Sequence, residues 1–266
     1  MARHASPCPA SRPSSLTFEQ IASLLDRHDR DRTRLFWAEG CRSFFSALEN
    51  GWDIRSIIYC PRLLSSRPAW ERLRRLGTPS LELSSEEFGH LTRRAEPDGV
   101  GVVCAQHWER LIEQPARRGD VWVALDSIRT PGNLGTIFRT CAAVGARGVM
   151  VIGGEIDAFD PAVIRSSMGA IFSVDLIRTS ARALAGWKSR RQVLFVGASP
   201  AGSLDYRQAC YRSPLVLMMG SERSGLRERQ IALCDQIVSL PMTPRVDSLN
   251  LAVAAGLMLY EAIRDG

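Results

Sequence analysis

The stretch TPGNLGTIFRT, residues 130 to 140, carries an amide and a guanidinium, Asn133 and Arg139, beside a turn of small residues. An apolar run from Val121 to Leu125 precedes this stretch and stops at Asp126. The order predicts a strand, a tight glycine turn and a helix. In α/β proteins such a turn usually faces a ligand, because the first backbone amides of the helix are unpaired there. The stretch therefore indicates a ligand site.

Two common nucleotide-binding motifs do not fit this turn. A dinucleotide fingerprint needs G-x-G-x-x-G with an acid about 20 residues later, and a phosphate loop needs G-x-x-x-x-G-K-[ST]. Neither spacing occurs, and the only lysine of the chain is Lys188. The stretch alone leaves a structural alternative open, in which Gly132 and Gly135 only form a turn and Arg139 is a solvated helix residue.

The composition favours an anionic partner. The chain has 266 residues, 45% of them hydrophobic, and a net charge of +6. This length supports one or two domains, and we expect two. Almost all the positive charge is arginine, whose planar side chain binds phosphate through two contacts and stacks on bases. Nucleic acid is therefore the favoured partner, although a GC-rich genome explains the preference for arginine equally well.

The positions of the cysteines and histidines limit the kinds of catalytic and metal sites that the chain can form. The seven cysteines never form a C-x-x-C pair, which indicates neither a disulfide framework nor a zinc site and is typical of a cytoplasmic protein. All four histidines precede residue 110, so chemistry in the second half would use neither a histidine base nor a histidine-bound metal. No apolar run approaches about 18 residues, so we expect no membrane span.

Short strand and helix patterns alternate in the first part of the chain. They predict a small α/β domain over residues 16–104, preceded by a flexible tail over 1–15. Strand-like segments are IRSIIYC, PSLELS and GVGVVCAQ, and helical segments are TFEQIASLLDRH, AWERLRRLG and SSEEFGHL. The segment HWERLIEQPARRGD interrupts this pattern and predicts a linker over residues 105–119.

The second part, residues 120–266, has a stronger α/β pattern. Near-continuous apolar segments alternate with helices, which predicts a parallel sheet buried on both faces. The predicted strands are VWVALD, GVMVIGG, SVDLI, VLFVGAS, LVLMMGS and QIVSLPM. The predicted helices begin near Asn133, Asp160, Arg182, Leu226 and Ser248.

Two further loops place polar side chains at strand ends. LVLMMGSERSGL presents Ser221, Glu222 and Arg223, and VSLPMTPRVDSLN leads into a long helix. Taken singly, Glu222 is a helix N-terminal charge and Ser248 an N-cap, both structural roles. Their occurrence in one order with the first stretch favours a shared function.

These loops carry a family resemblance. TPGNLGTIFRT, LMMGSERSGL and LPMTPRVDSLNLAVAAGLMLYEA resemble, in order, the three motifs of the SpoU (TrmH-type) RNA ribose 2′-O-methyltransferases, over Asp120 to the C-terminus. WAEGCRSFFSALENGWDIRSIIY resembles the ribosomal-protein-like substrate-binding domain of the rRNA-modifying branch. DPAVIRSSMGAIFSV resembles the avilamycin- and thiostrepton-resistance enzymes of that branch.

The resemblance implies a C-terminal parallel sheet with a trefoil knot, a homodimer formed through that domain, and S-adenosylmethionine as cofactor without a metal. It implies catalytic roles for Asn133, Arg139, Glu222, Ser248 and Asn250. The implied cofactor-binding residues are Gly197, Ala198, Gly220, Ser221, Leu240, Pro241, Met242, Leu249 and Asn250. The implied RNA-binding residues are Arg139, Arg165 and Arg42, and Arg74 and Arg75 are further candidates for phosphate contacts.

The role of Arg139 follows from magnitudes. Deprotonating a guanidinium at pH 7 costs roughly 8 kcal/mol, whereas general-base catalysis contributes less than about 6 kcal/mol. Positioning supplies roughly 7–11 kcal/mol. We therefore expect Arg139 to stay charged and to bind the target phosphate and ribose oxygen. Asn133 is expected to orient either the arginine or the ribose through its amide, and Glu222 to hold either the motif loops or Asn133. Ser248 and Asn250 are expected to fix the helix start.

The leading hypothesis is 2′-O-methylation of a ribose in large-subunit (23S) rRNA, with resistance to a ribosome-targeting antibiotic as one biological role. Two alternatives stay open. One is a tRNA 2′-O-methyltransferase, against which the additional N-terminal domain counts. The other is a non-catalytic RNA-binding or ribosome-assembly protein, which has no need to keep the motif side chains.

Overall fold

The computed structural model describes residues 16–153 and 156–264. These residues form two compact units. The first contains the described residues up to Gln106 together with the segment Ala158–Ser173, and the second contains His107–Asp157 and the described residues from Val174 onward. The tail predicted over residues 1–15 lies outside the described residues.

Strands and helices alternate along the chain. The strands are β1 (Leu35–Glu39), β2 (Ile54–Tyr59), β3 (Ser80–Glu82), β4 (Val100–Ala105), β5 (Val121–Asp126), β6 (Gly148–Ile152), β7 (Asp175–Thr179), β8 (Leu194–Ala198), β9 (Leu204–Asp205), β10 (Leu215–Met219) and β11 (Gln236–Ser239). The helices are α1 (Phe18–Ser23), α2 (Arg27–Thr33), α3 (Cys41–Glu49), α4 (Arg67–Arg75), α5 (Ser85–Leu91), α6 (Pro131–Ala143), α7 (Pro161–Ser167), α8 (Ala181–Arg191), α9 (Glu228–Ile231) and α10 (Leu251–Ala262).

The first unit is built on a mixed sheet with the strand order β1-β4-β2-β3. Strand β4 pairs antiparallel with both of its neighbours, and β2 pairs parallel with β3. Successive residues of a strand point to opposite faces. Accordingly Trp37 packs with Phe88 beneath one face, while the neighbouring Phe36 packs against Phe159 and Phe172 at ring-centroid distances of 4.7 and 6.0 Å. The sheet therefore has an apolar core on each face.

The segment Ala158–Ser173 is fixed to the first unit by polar contacts as well. The Trp52 indole donates to the carbonyl of Phe172 at 3.0 Å, and the Ser46 hydroxyl donates to the carbonyl of Gly169 at 2.8 Å. Helix α7 begins inside this segment and packs beside β1. In the sequence this segment lies within the second part of the chain, residues 120–266.

One predicted helix is two. TFEQIASLLDRH was predicted as a single helical stretch, but α1 ends at Ser23 and α2 starts at Arg27. The carboxylate of Asp26 accepts a hydrogen bond from the backbone N–H of His28 at 2.7 Å, so it caps a new helix. Aspartate competes well for this N-cap position, and the cap overrides the continuous helical pattern.

The second unit is a parallel sheet with the strand order β7-β6-β5-β10-β8-β11-β9. The six strands predicted for this part of the chain are confirmed, and β9 is an additional short edge strand. Apolar side chains such as Trp122, Met150, Phe195 and Met218 are fully buried along the central strands. The expectation of a parallel sheet buried on both faces is therefore confirmed, whereas the trefoil knot stays a prediction.

The strand order decides which loops meet. Strands β5, β10, β8 and β11 are neighbours in the sheet, so the loops that follow them emerge at the same edge. Helix α10 packs against α6, where a side-chain methyl of Thr140 lies close to Gly256. The three stretches identified in the sequence are thus brought to one side of the sheet. Within the described residues, no helix has the length and apolarity needed to cross a membrane.

Candidate active site

A cavity of the second unit lies at the carboxyl ends of β5, β8, β10 and β11. Its volume is about 720 Å³, within the range of about 300–1,000 Å³ that is typical of small-molecule sites. Its polar wall includes Asn133, Glu222 and Asn250, and its apolar wall includes Leu240 and Met242. The cavity therefore combines residues from all three stretches.

A chain of hydrogen bonds joins the three stretches. The Asn250 side-chain amide donates to Oδ1 of Asn133 at 3.0 Å, and Nδ2 of Asn133 donates to Oε1 of Glu222 at 2.5 Å. The direction of the chain is set at both ends. Oδ1 of Asn250 already accepts from the backbone N–H groups of Ala252 and Val253, and an ionised carboxylate only accepts. Both amides are consequently held in one orientation.

The start of α10 corrects one prediction. Ser248 was predicted as a possible N-cap and helix start, but α10 begins at Leu251 and Asn250 is its cap. Oδ1 of Asn250 lies 2.9 Å from the backbone nitrogen of Ala252 and 3.3 Å from that of Val253. Asparagine caps as well as serine, and here its amide end also serves the chain of hydrogen bonds. Ser248 is exposed and lines the cavity.

The loop after β10 requires a glycine. Ser221 and Gly225 exchange two backbone hydrogen bonds of 3.0 Å, which close a tight turn directly after Gly220. A Cβ atom at Gly220 would lie 2.1 Å from the carbonyl carbon of Gly225, closer than any real contact. The turn and the neighbouring Glu222 are thus placed by the absence of a side chain at Gly220.

A buried carboxylate ties the first stretch to α9. Asp126, 1% exposed at the end of β5, accepts from the Gln230 side chain and from the Ser127 hydroxyl, and Arg227 lies 3.7 Å away. Arg227 also donates to the Ser127 hydroxyl at 3.3 Å. Burial of a charge is costly unless it is paired, and here the pairing is with side chains from the far end of the sequence. The sequence analysis did not predict this contact. The position of Asp126 at the end of an apolar strand was the signal that its carboxylate would be buried and would need a partner.

The predicted cofactor-binding residues largely converge on the cavity. Gly197 and Pro241 do not line it. Gly197 is buried inside β8, where a Cβ would lie 2.7 Å from Sγ of Cys234, and Pro241 is exposed. The residues that do line it are Ala198, Gly220, Ser221, Leu240, Met242, Leu249 and Asn250. Lining residues that the sequence did not indicate include Thr130, Ser199, Asp247 and Ala254.

The predicted arginines lie elsewhere. Arg139 is exposed on α6 and does not line the cavity. At about 1.5 Å of rise per residue, it stands about 9 Å along the helix axis from Asn133. It makes no hydrogen bond or ion pair with the residues that the structure describes. Arg42 and Arg165 belong to the first unit, where both line a second cavity.

Comparison with known proteins gives consistent matches. The SpoU rRNA Methylase family model matches residues 120–260, and the MRM3-like substrate binding domain model matches residues 17–101. The 23S rRNA (uridine(2479)-2′-O)-methyltransferase of Streptomyces viridochromogenes is 33% identical over 93% of this chain and 89% of its own length.

Solved structures match over almost the whole chain. The SpoU methyltransferase AviRb from Streptomyces viridochromogenes, in complex with the cofactor AdoMet, superposes with a TM-score of 0.86 at 33% identity, covering 93% of this chain and 96% of that one. An AdoMet-bound rRNA methyltransferase from Sinorhizobium meliloti gives a TM-score of 0.85 at 34% identity, covering 96% and 98%.

Proposed function

The chain belongs to the SpoU rRNA methylase family, and on this premise we propose that it methylates a ribose 2′-oxygen in large-subunit (23S) rRNA with S-adenosylmethionine as methyl donor. The observation that carries the proposal is the chain of hydrogen bonds from Asn250 through Asn133 to Glu222 at the wall of the second-unit cavity. The alternatives are a tRNA 2′-O-methyltransferase and a non-catalytic RNA-binding protein.

The cavity suits S-adenosylmethionine. Its volume of about 720 Å³ accommodates a ligand of that size, and Leu226, Leu240 and Met242 offer an apolar wall to a base. Glu222 and Asp247 place carboxylates at the cavity, and these attract a cationic ligand. When bound, the cofactor supplies a methyl group on a positively charged sulfur. The protein residues hold the cofactor and orient the acceptor.

Arg139 is proposed to act on the RNA rather than on the cofactor. Its guanidinium is exposed and is not engaged by the described residues, so it is available to bind a phosphate and the ribose oxygen. A fixed cation beside a hydroxyl whose proton passes to solvent water stabilises the negative charge that develops on the oxygen. Since Arg139 does not line the cavity of its own chain, we propose that it serves the cavity of a second copy.

An apolar stripe on α10 supports a homodimer. Val253, Leu257 and Tyr260 are 52%, 41% and 59% exposed, and their spacing places them on one side of the helix. A contiguous apolar stripe of this kind is unusual on a solvated helix. We propose a second copy of this chain as the partner. Leu257→Glu should give a monomer in analytical ultracentrifugation, whereas Ser189→Glu on the exposed side of α8 should leave a dimer; a monomeric wild-type protein with full activity would contradict the proposal.

The substrate proposal is tested by methyl incorporation. In-vitro transcripts of 23S rRNA, 16S rRNA and tRNA carry no modifications and are incubated with the protein and radiolabelled S-adenosylmethionine. We expect label in 23S rRNA, at one nucleotide that blocks alkaline cleavage. Label in tRNA alone would favour the tRNA alternative. Cofactor binding by calorimetry without label in any RNA would favour the non-catalytic alternative.

We further propose that the protein acts on ribosomes in the cytoplasm. We also propose that its activity confers antibiotic resistance. The segment DPAVIRSSMGAIFSV resembles the avilamycin- and thiostrepton-resistance enzymes, which supports this role. Expression in a susceptible bacterium should raise the inhibitory concentration of one of these antibiotics, and Arg139→Ala should abolish the increase. If the bacterium is equally susceptible to these antibiotics with and without the active enzyme, the resistance role is refuted and a housekeeping role is favoured.

A further inference from the structure

The first unit contains a second cavity, with a volume of about 550 Å³. It lies beside the end of β1, the start of α3, the loop after α5 and helix α7. Its apolar wall includes Leu25, Trp37, Leu91, Ile164 and Met168. This volume falls within the about 300–1,000 Å³ of typical ligand sites. All of its lining residues belong to the first unit, so it is separate from the candidate active site.

Arginines dominate the polar lining of this cavity. Arg94 pairs with Asp98 at 2.8 Å, whereas Arg42, Arg93 and Arg165 are exposed and form no ion pair with described residues. The polar contact of Arg42 is with the sulfur of Met168, at 3.7 Å. Four guanidinium groups and two carboxylates, those of Glu39 and Asp98, thus line the cavity. The excess of positive charge suits an anionic ligand, and a guanidinium can bind a phosphate through two parallel hydrogen bonds.

A carboxylate stands among these arginines. Glu39 ends β1, and both of its oxygens lie within reach of the Thr92 hydroxyl, at 2.7 and 2.8 Å. One hydroxyl hydrogen leaves most of the acceptor capacity of a carboxylate unused. Burial raises the pKa of the Glu39 carboxyl, against the opposing effects of the Thr92 hydrogen bond and of the charges on Arg94 and Arg165. A ligand that donates N–H groups to Glu39 would complete its hydrogen bonding.

We propose that this cavity binds one unpaired guanosine of the RNA substrate, with the base on the apolar wall, its N1–H and N2–H donating to Glu39, and its phosphates on Arg42, Arg93 and Arg165. Guanine presents two adjacent donors on one edge, which match the two oxygens of a carboxylate. Uracil places acceptors beside its single N–H, so its edge is repelled. The inference rests on the proposed function in that the guanosine is part of the RNA on which the enzyme acts.

Binding of short single-stranded RNAs to the full-length protein tests the base preference. Fluorescence anisotropy compares the labelled pentanucleotides UUGUU, UUAUU, UUCUU and UUUUU. We expect the wild-type protein to bind UUGUU at least about tenfold more tightly than UUUUU. This is the discrimination expected when one side chain makes two hydrogen bonds to a base. Glu39→Gln should remove the preference for guanosine, because a glutamine amide has only one acceptor oxygen. Its NH₂ group is a donor and cannot accept the second N–H of guanine. Equal affinities for all four RNAs, or a preference that survives Glu39→Gln, would overturn the proposal.

Arginine variants separate the phosphate contacts from general electrostatics. Arg93→Gln should weaken the binding of all four pentanucleotides alike and reduce the log–log salt slope by about 0.7 for each phosphate that the variant no longer neutralises. The matched control is Arg72→Gln, because Arg72 is exposed on α4 and does not line the cavity. The control should leave the salt slope within error. Equal reductions of affinity in the two variants would assign the effect to overall charge and refute the site.

Crosslinking keeps the test independent of the variants. A pentanucleotide with 6-thioguanosine at its centre should crosslink on irradiation to peptides that contain residues 37–42, 91–98 or 161–168. Crosslinks confined to other peptides would refute the site. Methyl transfer to 23S rRNA distinguishes the two proposals. If the protein methylates 23S rRNA but shows no preference for guanosine, only this inference is refuted. If it binds guanosine selectively but methylates no RNA, only the proposed function is refuted.

Discussion

The orientation of the Asn133 amide is the feature most open to a decisive experiment. Asn133 accepts from Asn250 and donates to Glu222, so its two ends cannot be exchanged without breaking a hydrogen bond. Asn250→Asp keeps a good N-cap on α10 but turns an acceptor toward the Asn133 oxygen. If the Asn133 amide flips to meet the new carboxylate, its oxygen then faces the carboxylate of Glu222. One hydrogen bond is broken in either orientation.

The size of the effect follows from these hydrogen bonds. The lost hydrogen bond between the Asn250 and Asn133 amides joins two neutral groups and contributes about 0.5–1.5 kcal/mol. The amide oxygen that is left facing a carboxylate adds to this loss, and the exposure of Asn250 to solvent keeps the total at about 1–2 kcal/mol. Adding Glu222→Gln supplies a donor at the other end of the chain. The Asn133 amide can then flip and satisfy both neighbours, with every hydrogen bond running in the reverse direction. The double variant should therefore recover most of the stability.

A double-mutant cycle on the free energy of unfolding and on the dissociation constant for S-adenosylmethionine measures the recovery. We expect a coupling of at least about 1 kcal/mol between the two positions, and additivity within about 0.5 kcal/mol for Asn250→Asp combined with Glu228→Gln on α9. In an Asn133→Ala background no amide joins the two positions, so the coupling should disappear there. A coupling as large in that background would mean that charge repulsion alone acts, and it would refute the directed chain.

Three further outcomes are expected. Gly220→Ala should raise the dissociation constant for S-adenosylmethionine by calorimetry at least about tenfold, because a Cβ there meets the backbone of the following turn, whereas Gly132→Ala meets nothing within 4 Å and should not. Arg139→Ala should abolish methyl incorporation with cofactor affinity unchanged within a few-fold, and Arg139→Lys should rescue it poorly; loss of cofactor binding by a folded variant would refute the assignment. At pH 8, iodoacetamide should label exposed Cys210 but not Cys141, because burial raises the pKa of the Cys141 thiol to about 12; mass spectrometry of the peptides checks this, and equal labelling would contradict it.

Local patterns predicted the elements of the second unit well, because continuous apolar runs report burial on both faces of a sheet directly. The family resemblance, rather than the local patterns, singled out Asn133 and Asn250 together with Glu222, and the structure joins these three by hydrogen bonds. The hydrogen bonds themselves depend on strand order, which the patterns do not contain. The contact between Asp126 and Gln230 was missed for the same reason, since 104 positions of sequence separate the two residues.

Caps were harder to predict than periodic segments. Ser248 and Asn250 are both good N-caps, and the choice of Asn250 depends on the partner that its amide finds in Asn133. Arg139 was grouped with Asn133 because both belong to one stretch. Helix geometry instead separates their side chains, so Arg139 does not line the cavity with Asn133.

The division of the sequence between the two units has a consequence for protein engineering. The segment Ala158–Ser173 interrupts the second unit in the chain but belongs to the first, where Phe159 and Phe172 pack against Phe36. A single cut in the chain therefore cannot separate the units without removing aromatic side chains from their core. A hybrid that takes its first unit from a relative must exchange this segment together with the N-terminal part. Hybrids joined at one crossover are expected to lose Phe36 packing, and with it the position of Arg165 on α7.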